Sequence, residues 1–109
     1  MKDDPITSAF QTLACEFLSQ HGAIAHRWTK VPSLWSGDRL DLVCAPDTPE
    51  EVWVTLRPGM IAVGDRDEHM DFPDDGVEKR EAAVIAKEAF DEFLGLLRLH
   101  RRLLSEPLR

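Results

Sequence analysis

The chain has 109 residues, of which 30% are charged and 43% hydrophobic, and its formal net charge is −7. This length fits one domain that buries roughly two thirds of its unfolded surface, and the composition is typical of a folded globule rather than a disordered tail. The negative charge argues against nucleic-acid binding, because neutralising phosphates requires cations. No apolar run approaches the ~20 residues that cross a membrane, and the N-terminal segment lacks the apolar core of a secretory signal. We therefore expect a cytoplasmic protein without a membrane partner.

The first predicted elements are a helix over about 5–21 and a strand over about 23–31. Asp4 and Pro5 suit the N-cap and the first helical position. Apolar residues then recur at helical spacing and form one stripe; they are Ile6, Phe10, Leu13, Ala14, Phe17 and Leu18. In the strand, neither face is cleanly apolar, and we expect Trp28 to point inward.

Two runs of alternating apolar and polar residues follow, over about 39–45 and 51–57. Successive strand residues point to opposite faces, so one face collects the aliphatic side chains Leu40, Leu42, Cys44, Val52, Val54 and Leu56. This face predicts coverage by a helix, whereas the opposite, mixed face predicts a solvated side. Trp53 lies on the mixed face. It either pairs with Val43 across the strands or belongs to a binding surface.

Two more strands are predicted over about 60–64 and 68–72, and a long helix over about 76–104. Pro58 and Gly59 occupy the positions that a type II turn prefers, just before the first of these strands. Because sequential strands pair by default, the strands form an antiparallel meander of four to five strands. The sequence thus predicts an α+β fold in one domain, 1–109, with both helices on one face of the sheet.

The end of the last helix is unusually rich in leucine. A helix over 76–104 is ~42 Å long at 1.5 Å per residue, whereas a six-residue strand spans only ~20 Å. The helix therefore overshoots the sheet or bends. Leu96, Leu99 and Leu103 in the excess either pack back on the first helix or contact a second copy of the chain in a homodimer.

The stretch 65–75 is strongly acidic, with six carboxylates against Arg66 alone. Asp65, Asp67 and His69 alternate as in a calcium loop, but the glycine and the bidentate glutamate that such a loop needs are missing from their positions. The stretch is more typical of a solvated loop, and it offers a surface to a basic partner.

The chain contains no catalytic, nucleotide or cofactor motif. Cys15 lacks a neighbour that would activate its thiol, and Cys44 fits the aliphatic face. The four histidines have no metal-ligand spacing. If His69, Asp67 and Asp71 share a strand face, they permit a weak metal site or an acid–base pair, although a polar strand face is the commoner case. We predict a protein that is not an enzyme and holds no cofactor or metal.

The order helix, antiparallel meander, long helix in a small acidic chain resembles several bacterial immunity proteins, which bind and block a cognate toxin. The segment VWVTLRPGMIAVGDRDEHMDF resembles the sheets of such proteins. This resemblance implies an inhibitor that blocks a basic surface of a partner protein. The partner-binding residues that we predict are Trp53 as aromatic anchor and the acids Asp65, Asp67, Glu68 and Asp71.

Two other functions stay open from the sequence. One is a structural or adaptor homodimer assembled through the leucine-rich helix. The other is a small metal-binding protein or enzyme centred on His69.

Overall fold

The computed structural model describes residues 5–21, 24–32, 39–73 and 81–104, with side chains as far as His100. The chain folds as predicted into an α+β domain with a helix, a five-stranded antiparallel sheet and a long helix. The elements are α1 (Pro5–Gln20), β1 (His26–Val31), β2 (Arg39–Cys44), β3 (Val52–Arg57), β4 (Met60–Gly64), β5 (His69–Pro73) and α2 (Ala82–Leu104). The strand order is β1-β2-β3-β4-β5, so each strand pairs with its neighbour in sequence.

The face of the sheet that the helices cover, the inner face, is built by the predicted alternation. Register places Leu42 opposite Val54, and Val54 opposite Val63, so that aliphatic side chains line up across three strands. All three side chains are fully buried. Fully burying such a side chain stabilises the fold by roughly 1.5–3 kcal/mol, so these rows explain why the meander closes in this register.

Both helices pack on the inner face and against each other. Helix α2 contacts β3, β4 and β5, and α1 contacts α2 and β4. Four phenylalanines join the helices. Phe10 meets Phe90 and Phe93 edge to face with ring centroids 6.1 and 6.0 Å apart, and Phe17 repeats this arrangement. Edge-to-face pairs of this kind add stability beyond the area they bury.

The element ends differ from the prediction by more than one residue in two places. Strand β1 begins at His26, after Ile24 and Ala25, because the chain first closes a turn in which the Ile24 N–H donates to His21 O at 3.0 Å. Helix α2 begins at Ala82, and Glu81 is not helical. Residues 76–80 of the predicted helix lie outside the described residues.

The turn between β3 and β4 has the predicted form. Arg57 pairs with Met60, which leaves a two-residue connection, Pro58 and Gly59. Gly59 has φ 76°, the left-handed value that the third position of a type II turn requires and that glycine adopts without strain.

Candidate binding face

The outer face of the sheet, opposite the helices, carries a mixture of charged, polar and apolar side chains. One row of paired residues crosses all five strands: Arg27, Val43, Trp53, Gly64 and His69. The next row is Thr29, Asp41, Thr55, Ala62 and Asp71. Since both described helices pack on the inner face, this is the broad surface on which the sheet can meet another molecule.

Trp53 is held in one place on the outer face by three contacts. Its indole Nε1–H donates to the Asp65 carbonyl oxygen at 2.9 Å, and its ring centroid lies 5.8 Å from that of His69. The indole also lies against Gly64, where an added Cβ would be only 2.7 Å from Trp53 Cζ2 and 2.6 Å from His69 Cβ. Glycine at position 64 therefore lets the indole lie flat on β4.

A depression of ≈ 250 Å³ opens beside this indole. It is lined by Trp53, Thr55, Arg57, Met60, Ala62, His69 and Asp71. His69 Nε2 lies 3.6 Å from Asp71 Oδ1 at its rim, and both side chains are about half exposed, 55% and 50%. The lining of the depression thus combines apolar side chains with the cation of Arg57 and a His–Asp pair.

Two loops meet at the end of the sheet where β3 begins. The β2–β3 loop (45–51) and the β4–β5 turn (65–68) adjoin because Trp53 pairs with Gly64, and Arg66 Nη1 donates to Thr48 O at 3.4 Å. Together they form the acidic end, which contains Asp47, Glu50, Glu51, Asp65, Asp67 and Glu68 against Arg66 alone. The sequence analysis missed the three acids of the first loop, although the antiparallel order of the strands brings them there.

The β2–β3 loop is fixed by its own hydrogen bonds. Thr48 Oγ1 donates to Ala45 O at 2.7 Å and accepts from the Glu50 N–H at 3.2 Å. Ala45 and Asp47 have φ 51° and 64°, a conformation that costs a non-glycine residue roughly 1–2 kcal/mol. Strained backbone of this kind persists where its surroundings hold it, and it concentrates at binding sites.

The structure turns the Asp65 carboxylate inward. Its Oδ1 accepts from the Asp67 and Glu68 N–H groups at 2.9 and 3.1 Å, and its Oδ2 lies 3.1 Å from His100 Nε2. Only 9% of this side chain is exposed. Burial alone raises the pKa of Asp65, but the two backbone hydrogen bonds and the contact with His100 outweigh it and lower the pKa below 3.8. Asp65 thus closes the β4–β5 turn and ties it to α2.

The other predicted contact residues lie at the surface. Asp67 and Glu68 are exposed at the acidic end, and Asp71 and the half-buried Trp53 line the depression. The structure therefore places four of the five predicted partner-binding residues at the surface, on the part of the outer face formed by β3 to β5 and on the adjoining acidic end. The carboxylate of Asp65, the fifth, is turned inward.

The predicted dimer contacts lie in different environments. Leu96 is partly buried against the core, whereas Leu99 is 54% exposed on the outside of α2. Position 103 belongs to α2, but the Leu103 side chain lies outside what the structure describes.

The metal and thiol candidates have no cluster around them in the described ranges. Among those residues no group of three or more His, Cys, Asp or Glu side chains is placed to hold a metal ion, and His69 meets Asp71 as a pair only. Cys15 is exposed on α1. Burial raises the pKa of the Cys44 thiol to about 12, which makes it unreactive near neutral pH.

The chain matches no protein-family model, no curated protein and no solved structure. The resemblance to immunity proteins therefore stays a prediction. In the described part of the chain, neither helix is both long and apolar enough to cross a bilayer.

Proposed function

We propose that this protein is a protein-interaction module that binds and blocks a partner, in the manner of an immunity protein, through the acidic end and the adjoining outer face. The observation that carries the proposal is the juxtaposition of two acidic loops with a fixed indole beside a depression. Each feature alone is common on protein surfaces, but here all of them adjoin one another around β3, β4 and β5.

Charge supports a basic partner surface. The acidic end has a formal charge of −5 from its two loops, and such a concentration of one sign attracts and orients a partner of the opposite sign. Its loops are tied down by hydrogen bonds, so that little conformational entropy is lost when the partner binds.

The aromatic anchor supports a specific interface. Trp53 is fixed by Asp65, Gly64 and His69 before any partner arrives. Tryptophans with depressions beside them are frequent centres of binding energy, while surrounding charges set the association rate. In this proposal Trp53 contributes most to the affinity, and the acidic end increases the association rate.

Affinity capture with the full chain tests the proposal. The tagged protein is incubated with a lysate of its source cells at moderate salt, and bound proteins are quantified by mass spectrometry. The test variant is Asp67→Asn with Glu68→Gln, and the matched control is Glu16→Gln with Glu81→Gln, which changes the charge equally at exposed positions away from the acidic end.

We expect one stoichiometric protein partner that the control retains and the test variant loses. With the purified partner, association of the test variant should be ~10-fold slower at low salt and less sensitive to salt. Equal association rates for both double variants would remove the acidic end from the mechanism, and capture of no stoichiometric protein would overturn the proposal.

The exposure of Leu99 favours one second candidate, an adaptor homodimer formed through α2. A 54% exposed leucine on a long helix is a natural contact between two copies. Light scattering at high concentration decides between the functions: the adaptor requires a dimer that Leu99→Lys dissociates, and a monomeric wild-type chain eliminates it.

A further inference from the structure

Arg57 closes the end of the depression farthest from the acidic end. It is the last residue of β3 and pairs with Met60 across the turn. Its Nε atom is buried, yet it has no hydrogen-bond partner among the described residues. A guanidinium charge that is partly removed from water and has no anion beside it is unfavourable, and the partly exposed Arg57 side chain lines the depression, where a ligand can supply that anion.

The neighbouring arginine of the outer face, Arg39, also has a buried Nε without a hydrogen bond, but it differs from Arg57 in having a carboxylate beside it. Arg39 is accompanied on its own strand by Asp41, with Nε 3.1 Å from Oδ1. No carboxylate of the described residues lies within ion-pair distance of Arg57. Unlike Arg39, Arg57 can therefore bind a carboxylate from outside through its terminal N–H groups.

The rest of the depression defines what carries that carboxylate. Its floor and wall beside Arg57 include Ala62, Met60 and the Trp53 indole, which suit a short aliphatic stem. Its volume of ≈ 250 Å³ lies below the ~300 Å³ at which small-molecule sites usually begin, and it fits a single side chain. The Asp71 carboxylate in the same lining repels any anion, and it repels a doubly charged group such as phosphate about twice as strongly as a single carboxylate.

We propose that the depression receives a glutamate side chain of the partner protein, with its carboxylate on Arg57 and its methylenes on Ala62 and Met60. That this glutamate belongs to a protein rests on the proposed function. The carboxylate site itself rests on Arg57 and the lining residues.

This site makes the binding face electrically bipolar. Trp53 and Arg57 are four residues apart on β3, which separates the two ends by ~13 Å. The partner must then present basic groups to the acidic end and a glutamate about this distance away. Reversing the partner would put like charges together at both ends, so the pair of sites fixes its orientation as well as its affinity.

Nuclear magnetic resonance titration with a small glutamate analogue tests the Arg57 site before a partner protein has been identified. The probe is N-acetyl-glutamate N-methylamide, and the matched probe is the glutamine analogue, which has the same shape and no charge. We follow the Arg57 Nε–H and Met60 methyl signals of the intact chain. We expect saturable shifts with the glutamate probe, half complete at ~1 mM for a ligand of this size, and linear, small shifts with the glutamine probe.

Variants then assign the effect to Arg57. Arg57→Gln should abolish the saturable shift of the Met60 methyl group. Arg57→Lys keeps the charge but lacks the planar fork, and it should weaken binding about fivefold or more. Arg27→Gln lies on the same face outside the depression and should bind like wild type. Amide spectra of each variant establish that it is folded.

The outcomes separate the two proposals. Identical titrations with both probes, or unchanged binding by Arg57→Gln, would overturn the carboxylate site while leaving the capture experiment at the acidic end intact. Saturable phosphate binding at least as tight as that of the glutamate probe would also overturn it. Glutamate binding lost in Arg57→Gln supports the site, even if capture yields no partner and the proposed function fails.

Discussion

The two faces of one sheet are built from the same strands in opposite ways. On the inner face, Leu42, Val54, Leu56 and Val63 have no exposed surface, and each is fixed by neighbours on both helices or adjacent strands. On the outer face, most of the residues between them in sequence are partly exposed, as at Val43 and Thr55, although Ala62 is buried. A sheet needs only one apolar face to fold, so the other face is available for binding.

The outer face nevertheless contains organised features that folding does not require. An indole is held on a glycine, an arginine donor is buried without an acceptor, and two acidic loops are tied to each other. Evolution tends to place such local departures at functional sites. The inner face thus explains the fold, and the outer face is where function should be sought.

Adjacent substitutions on β3 provide the strongest test of this difference. Leu56→Ala on the inner face should lower the free energy of unfolding by ~2–5 kcal/mol, because it opens a cavity in a closely packed core. Thr55→Ala on the outer face should change it by about 1 kcal/mol or less. Urea denaturation of both variants measures this. Similar losses for the two would show that the outer face is also part of the packed core.

Gly64→Ala tests whether the indole is seated as described. The new Cβ would lie 2.7 Å from Trp53 Cζ2 and 2.8 Å from the Glu68 carbonyl oxygen, so that either the ring or the backbone of the turn must move. We expect a loss of ~1–3 kcal/mol, typical of overpacking.

The double variant Gly64→Ala with Trp53→Leu is the control for that clash, since it removes the indole. It should recover part of the loss relative to Trp53→Leu alone. Equal costs of Gly64→Ala with and without the indole would show that Trp53 does not determine the residue at position 64.

Asp65→Asn tests the link between the β4–β5 turn and α2. The pKa of Asp65 is lowered below 3.8 in the folded chain, so ionised Asp65 stabilises the fold above that pH, and the contribution is lost as the pH falls through the lower, folded value. Wild type should exceed Asp65→Asn in unfolding free energy by about 1 kcal/mol near neutral pH. The difference should shrink below about pH 4.

Chemical denaturation of both proteins across that range measures the difference. Asp67→Asn, in which an exposed acid of the same turn is changed, serves as the control and should be as stable as wild type near neutral pH. A constant gap between wild type and Asp65→Asn down to acid pH would mean that the Asp65 charge is not engaged.

Cysteine labelling of the wild-type chain tests the inner face without any substitution, and its expected effect is the smallest. Cys44 is fully buried on the inner face and Cys15 is exposed, and the thiolate is the reactive form. A thiol reagent should label Cys15 in the native chain and both cysteines in denaturant. Native labelling of Cys44 would show that the inner face opens readily.

Periodicity was sufficient to predict the fold where burial is one-sided. The alternation in β2 and β3 predicted the inner face because each strand has one wholly apolar side. Strand β1 was ambiguous for the opposite reason: it is a strand at the sheet margin whose residues are mostly exposed, and Trp28 is its main contribution to the core.

The candidate site was only partly predictable. The sequence predicts the position of Trp53 from the alternation of side chains along β3, and it predicts the acidic surface of the β4–β5 turn from the density of carboxylates. The inward role of Asp65 depends on His100, 35 residues away, and no local pattern encodes that contact. The burial of Arg57 Nε likewise depends on how side chains from several strands surround it. The alternation of residues along a strand predicts which face a side chain lies on, but not which of its atoms are buried.

The contact between Trp53 and Gly64 constrains which substitutions this chain can accept during evolution. A side chain at position 64 is excluded while the Trp53 ring is in place, and it would also meet His69 Cβ and the Glu68 carbonyl oxygen. Among descendants of this chain, a residue other than glycine at position 64 should therefore occur only where Trp53 has also been replaced, whereas Trp53 can change first.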